Sequence, residues 1–115
     1  MAAAVSEPAK TVGDEQLNEL HDMAEQACVL LKAMANEWRL MILCHLAEGE
    51  KTVSELQALL GLSQSALSQH LAVLRREKIV SARKHAQSVS YSLFGDEATK
   101  VMQTLHGLYC APQKA

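Results

Sequence analysis

The chain has 115 residues and a formal net charge of −2, and 49% of its residues are hydrophobic but only 3% aromatic. This length suits one domain with a modest core, and the scarcity of aromatic residues favours helices packed through Leu and Ala over a β-sandwich. No apolar run approaches the ~20 residues of a membrane span, and no signal-peptide pattern opens the chain. Because three cysteines without such a signal indicate thiols in a reducing compartment, we expect a cytoplasmic protein with no membrane partner.

Two helices are predicted in the first half of the chain. Residues 1–13 lack periodicity and are expected to form a disordered tail, residues 14–110 the folded domain, and residues 111–115 a short C-terminal tail. The spacing over 14–35 predicts an amphipathic helix. Its apolar stripe comprises Leu17, Leu20, Ala24, Ala27, Cys28 and Leu31. The helix predicted over 37–47 is apolar on almost all sides, so we expect it in the core.

A pair of short helices follows. Thr52 and Glu55 have the spacing of a capping box, which predicts a helix beginning at Val53. Gly61 supplies the permissive backbone that ends this helix, and Ser63 can cap the next one. The apolar residues of the second helix recur at helical spacing at Ala66, Leu67, Leu71 and Leu74.

The opposite face of this second helix is rich in amides and hydroxyls, whereas a solvated helix usually prefers Glu and Lys there. Such side chains at a helix N-terminus are suited to base edges in a major groove. The candidate base-reading residues are Ser63, Gln64, Ser65, Ser68, Gln69 and His70. Arg75 and Arg76 follow one turn later, where phosphates would lie. The alternative is an ordinary helix hairpin with a Ser/Gln-rich surface.

A β-hairpin is predicted next. Ile79–Lys84 and Val89–Leu93 are short β-favouring runs around a polar tip, His85–Ser88. A helix-turn-helix followed directly by a hairpin is typical of a winged helix. The side chains placed on the wing to contact phosphates or the minor groove are Arg83, Lys84, His85 and Gln87. The alternative is a hairpin that only closes the core.

Charge is distributed unevenly along the chain. Residues 1–62 carry 4 Lys/Arg against 10 Asp/Glu, or −6, whereas residues 63–95 carry 5 against 1, or +4, and the remaining residues balance. The positive block coincides with the predicted reading helix and wing, as expected for nucleic-acid binding. We therefore expect double-stranded DNA as the partner.

A last helix is predicted from about Asp96 to Tyr109. Its apolar stripe comprises Ala98, Val101, Met102, Leu105 and Leu108. Neither this helix nor the first one is needed to complete the winged-helix core, so both can pair with a second copy. A symmetric dimer would place two reading helices roughly 34 Å apart on DNA. We therefore predict a homodimer on an imperfect inverted repeat, joined through the first and last helices.

The element order α-α-α-α-β-β-α resembles the ArsR family of bacterial repressors. The resemblance covers roughly residues 17–110 and is carried by Leu-Lys-Ala-Met-Ala-Asn-Glu-Trp-Arg-Leu-Met-Ile-Leu (31–43) and Leu-Ser-Gln-Ser-Ala-Leu-Ser-Gln-His-Leu (62–71). It implies a mainly α, homodimeric winged helix-turn-helix regulator that is not an enzyme. Members of the family usually leave their operator when an inducer binds.

The metal-binding motifs of two well-known branches of that family are absent. The arsenic/cadmium type carries Cys-x-Cys on the helix before the reading helix, but the corresponding stretch here, Thr52–Leu56, has no cysteine. The zinc type has Asp and His, then His-x-x-Glu, on the last helix. Asp96 is present, but His106 is followed by Gly-Leu-Tyr, so the second pair is missing.

The remaining cysteines resemble the branch of the family that senses reactive sulfur or oxidants. By that resemblance, Cys44 and Cys110 are the sensing pair, joined by a disulfide or polysulfide bridge that alters DNA affinity. Cys28 has no assignable counterpart, and a small core or interface residue is the simpler interpretation. The regulatory outcome is repression or relief of silencing, and no cofactor is expected.

Three alternatives remain open for these thiols. The first is a metal-responsive repressor that uses the four side chains Cys44, His45, His106 and Cys110. The second is a thiol-based enzyme, although no Cys-x-x-Cys, Gly-rich phosphate loop or paired acid/base set supports turnover. In the third, the two thiols are simply small core residues.

Overall fold

A computed structural model of the chain describes residues 13–110. The elements in chain order are α1 (Asp14–Met34), α2 (Glu37–Ala47), β1 (Lys51–Thr52), α3 (Val53–Leu60), α4 (Gln64–Arg76), β2 (Val80–His85), β3 (Ser88–Leu93) and α5 (Asp96–Tyr109). The tails expected at residues 1–13 and 111–115 lie outside the described residues except for Gly13, which directly precedes α1. None of the helices described is long and apolar enough to cross a membrane.

The predicted winged helix-turn-helix is confirmed, and the predicted capping residues begin and end its helices. The Thr52 hydroxyl accepts from the Glu55 N–H at 3.0 Å, and the Glu55 carboxylate accepts from the Thr52 N–H at 2.7 Å. Gly61 ends α3 with a left-handed φ of +71°, a conformation that costs glycine nothing. The Ser63 hydroxyl accepts from the Ala66 N–H at 3.1 Å and so caps α4.

The core lies between α2, the helix pair α3–α4, the base of the wing and one face of α5. Burial of apolar side chains from all of these elements holds the domain together. The side chains with almost no exposed surface are Ile42, Leu43, Leu56, Leu67, Leu71, Leu74 and Ile79. As predicted, α2 contributes to the core, but it is not buried all round, because Met41 and Cys44 are exposed.

The sheet has one strand more than the sequence analysis predicts. Its order is β1-β3-β2, and β1 pairs antiparallel with β3 through Lys51↔Tyr91 and Thr52↔Ser90. No strand is predicted at Lys51–Thr52, because two residues are too few to show a period. The hairpin tip is also shorter than predicted: His85 pairs with Ser88, which leaves only residues 86 and 87 in the turn.

Both terminal helices expose apolar side chains. In α1 only Ala33 and Met34 are buried, whereas Leu17, Leu20 and Leu31 are about half exposed. In α5, Ala98 and Met102 are buried, but other large residues face outward. The predicted stripe of α1 therefore lies on the surface of a single chain, and so does the C-terminal end of α5.

Candidate nucleic-acid interface and thiol groove

The amide and hydroxyl side chains of α4 form a continuous exposed face. The leucines at positions 67, 71 and 74 anchor the other side of the helix in the core. The exposed residues at its N-terminal end are Ser63, Gln64, Ser65, Ser68 and Gln69. Within residues 13–110, Gln64, Ser68 and Gln69 make no side-chain hydrogen bond, so their donors and acceptors are available to a ligand.

His70 differs from the other predicted reading residues, because it is half-buried at the edge of that face. Its Nδ1 lies 3.4 Å from Nη1 of Arg39, whose Nε donates to the Ala33 carbonyl at 2.6 Å. Arg39 therefore connects the C-terminal end of α1 to α4. The sequence does not predict this link. Burial and then the positive charge of Arg39 lower the pKa of His70. Since arginine only donates, Nδ1 accepts and Nε2 carries the proton.

Positively charged side chains of residues 63–95 flank this face. Arg75 and Arg76, at the end of α4, line a cavity of about 460 Å³ together with Ser68 of the same helix and Tyr91 of the wing. Arg76 Nε also donates to the Glu77 carboxylate at 3.0 Å, so it is partly neutralised. Two arginines beside a serine hydroxyl are suited to a phosphate group.

The wing carries the remaining predicted contact residues. Lys84, His85 and Gln87 are exposed at its tip. Arg83 is also exposed, but its guanidinium donates to both carboxylate oxygens of Glu50. The sequence does not predict the contact between Arg83 and Glu50, because a pair separated by 33 residues leaves no periodic signal.

The two predicted sensing cysteines share a groove between α2 and α5. Cys44, on α2, and Cys110, just after α5, both line a cavity of about 740 Å³, together with the aliphatic side chains of Leu40, Met102 and Leu105. Both thiols are free and accessible. Cys28 is a free, exposed thiol on α1 and does not line this cavity.

Cys44 has a distinctive electrostatic environment. Although its side chain is accessible, neighbouring groove side chains remove part of its hydration, and this burial is the largest cause of a raised pKa. The negative charges of the Cys110 thiolate and then of Glu48 raise that pKa further. Glu48 was not singled out from the sequence, although its spacing of four from Cys44 on a helix indicates proximity.

The alternative metal site is not assembled within one chain. Cys44, His45, His106 and Cys110 do not bring three ligand atoms within 4.8 Å of one another. In the part of the chain that the structure describes, only His21, Asp22 and Glu25 do so, and all three are exposed on α1. His106 does line the thiol groove, and its carbonyl accepts from the Cys110 N–H at 2.8 Å.

Known proteins resemble this chain in both sequence and structure. Residues 36–82 match the family described as bacterial regulatory protein, arsR family. The chain is 54% identical over 94 residues to the transcriptional activator HlyU of Vibrio cholerae, covering 82% of this chain and 87% of that protein. It is 39% identical over 103 residues to the biofilm growth-associated repressor of Agrobacterium fabrum, covering 90% and 88%.

Solved structures agree with these sequence matches. Reduced HlyU from Vibrio cholerae has a TM-score of 0.79 at 54% identity, over 81% of this chain and 98% of that one. The repressor BigR from Xylella fastidiosa has a TM-score of 0.74 at 34% identity, over 86% and 98%. These relatives are regulators and not enzymes, as expected from the sequence. The chain therefore belongs to the arsR family of bacterial regulatory proteins and is a DNA-binding transcriptional regulator.

Proposed function

We propose that this regulator binds inverted-repeat DNA as a homodimer and changes its DNA affinity when reactive sulfur or oxidants bridge Cys44 and Cys110. The observation that carries the thiol part is that both cysteines line one groove. The DNA part is supported by the exposed amides and hydroxyls at the N-terminal end of α4 and by the positive charge of residues 63–95.

The α4 helix enters the major groove in this proposal. Its N-terminal residues, Ser63, Gln64, Ser65, Ser68 and Gln69, meet base edges. The Nε2–H of His70 is directed to an acceptor at the edge of the site. Arg75, Arg76 and the wing residues Arg83, Lys84, His85 and Gln87 meet phosphates or the minor groove.

With a persulfide, the bridge forms by sulfur transfer followed by condensation. A low-molecular-weight persulfide RSSH transfers its outer sulfur to a cysteine thiolate and leaves as RSH, so that each cysteine becomes a persulfide. The persulfides of Cys44 and Cys110 then condense to a trisulfide with loss of H₂S. A hydroperoxide instead oxidises one thiol to a sulfenic acid and is itself reduced to the alcohol. The sulfenic acid then condenses with the other thiol to a disulfide and water.

The position of the groove explains how a bridge would reach the DNA face. Cys44 lies on α2, which packs directly on α3 and α4, whereas Cys110 follows α5, a helix assigned to the dimer interface. A covalent link between them ties the dimerisation helix to the DNA-binding core. Displacement of one reading helix relative to the other weakens every base contact at once.

The homodimer is supported by the exposed stripe of α1. Leu17, Leu20, Met23 and Leu31 are 49–59% exposed, and Leu108 of α5 is 66% exposed. A soluble monomer seldom leaves so many large apolar residues along one helix without a partner. A second copy would bury these residues and bring two α4 helices to one DNA face.

The first prediction concerns the bridge. With a persulfide donor, the wild-type protein forms a Cys44–Cys110 cross-link carrying extra sulfur, and its DNA affinity changes about 5- to 150-fold. Cys44→Ser keeps the affinity of the reduced protein but loses the response. Non-reducing peptide mass analysis and DNA-binding titrations measure both. Cys28→Ser is the matched control and responds normally; a normal response from Cys44→Ser would contradict the assignment.

A second prediction concerns the pH dependence of Cys44. Because its pKa is raised, less thiolate is present at a given pH, so alkylation by iodoacetamide is half-maximal at a higher pH than in the urea-unfolded chain. Cys110→Ser and Glu48→Gln each lower that midpoint. Glu50→Gln, in the same loop but bound to Arg83, leaves it unchanged. Coincident folded and unfolded midpoints, from peptide-resolved mass spectrometry, would disprove the shift.

The third prediction concerns base reading. Ser65→Ala and Gln69→Ala each weaken binding to a selected operator by about 5- to 150-fold, because a good base contact contributes about 1–3 kcal/mol. Binding to a mixed-sequence duplex changes much less. Gln103→Ala, an exposed glutamine on α5, is the control and changes neither. Equal losses on both duplexes in fluorescence-anisotropy titrations would remove these residues from the reading face.

A fourth prediction concerns the dimer. Leu20→Asp introduces a charge into the α1 stripe, which dissociates the dimer and lowers DNA affinity. Asn18→Asp adds the same charge at an exposed polar position of α1 and leaves the dimer intact. Sedimentation velocity gives the oligomeric state. A Leu20→Asp protein that remains dimeric would exclude α1 from the interface.

A further inference from the structure

Arg83 is held by a two-point ion pair. Its Nη2 donates to Glu50 Oε1 at 2.8 Å and its Nε donates to Oε2 at 3.2 Å. The two side chains are 65% and 35% exposed. The fork of guanidinium N–H groups that matches a carboxylate in this way also matches two phosphate oxygens.

The sheet places this pair across the wing. Arg83 of β2 lies opposite Ser90 of β3, which lies opposite Thr52 of β1. Directly opposite residues share a face of an antiparallel sheet, so the Arg83 side chain extends past Ser90 toward the residue just before β1. Ser90, which lies between the two strands that carry Arg83 and Thr52, is only 5% exposed. The ion pair therefore depends on the tertiary structure, because it joins β2 to the residue that precedes β1.

Other cations of the positive segment are not held in this way. Within residues 13–110, no carboxylate lies within 4.0 Å of the terminal nitrogens of Arg75, Lys78 or Lys84, and Arg76 pairs only with its sequence neighbour. Arg83 alone in this segment has a partner from a distant part of the chain. Its Nε–H and Nη2–H groups are therefore occupied by Glu50 in the free protein.

We propose that Glu50 is an intrachain competitor of DNA phosphate for Arg83, so that it limits the affinity of the wing for DNA of any sequence. The inference rests on the proposed contact between the wing and DNA. A phosphate bound side-on by Arg83 needs the same Nε–H and Nη2–H groups. This two-point contact therefore exchanges the carboxylate for a phosphate. The energy of the intrachain pair is therefore subtracted from the energy of the phosphate contact.

The experiment is a double-mutant cycle with the full chain on a mixed-sequence duplex. Glu50→Gln is expected to tighten binding by about two- to five-fold, the range of an exposed ion pair. In an Arg83→Ala background most of this gain disappears, because only the general effect of removing a negative charge remains. In a Lys84→Ala background the gain persists. Arg83→Ala alone should lower the slope of log affinity against log salt by about 0.9.

Glu48→Gln controls for charge, since Glu48 lies in the same loop but pairs with Lys51; it has only the general effect. Melting curves verify that each variant is folded. An equal gain from Glu50→Gln with and without Arg83 would overturn the competition, as would weaker binding by Glu50→Gln or an unchanged salt slope in Arg83→Ala. These outcomes leave the proposed function standing if Gln69→Ala still weakens operator binding; if the wild-type protein binds no DNA, both proposals fail.

Discussion

Burial of the leucine face of α4 fixes the orientation of this helix and therefore decides which of its side chains are exposed. Leu67, Leu71 and Leu74 have at most 2% of their surface exposed, and burying each such side chain contributes roughly 1.5–3 kcal/mol. Because a helix presents its faces at fixed angles, anchoring the leucines in the core directs the amides and hydroxyls outward. The face that we propose to read DNA therefore depends on packing on the opposite side of the same helix.

Electrostatics refines what this packing exposes. The segment 63–95 carries an excess of four positive charges, yet the fold neutralises part of it locally through the pairs Arg76–Glu77 and Arg83–Glu50. Arg39 acts in a different way, because it joins the last turn of α1 to His70 on α4. The C-terminal end of α1 and the α4 helix are thus linked by a polar contact as well as by the core between them.

The thiol groove lies between α2 and α5, and exposed apolar side chains lie on α1 and at the C-terminal end of α5. Cys44 lies on a helix that places Ile42, Leu43 and Leu46 in the core, so in our proposal a covalent change at its sulfur acts on a helix held by the core. Burial, then Cys110, and then Glu48 one turn later raise the pKa of this thiol. In our proposal, a closely packed core transmits this local change to the DNA face because it cannot deform gradually.

The sequence by itself determined the local structure. The Thr52–Glu55 capping box, the Gly61 terminus and the leucine period of α4 each depend on residues close together in the chain. The positive charge of residues 63–95 is also a property of one continuous stretch. The resemblance to the ArsR family indicated Cys44 and Cys110, and tertiary structure decided that they share a groove. Tertiary structure also determined that Lys51–Thr52 form β1, because these two residues become a strand only by pairing with β3. It likewise determined the contacts Glu50–Arg83 and Arg39–His70. Such pairs join residues more than 30 positions apart, so no local period reveals them, and only the packed chain brings them together.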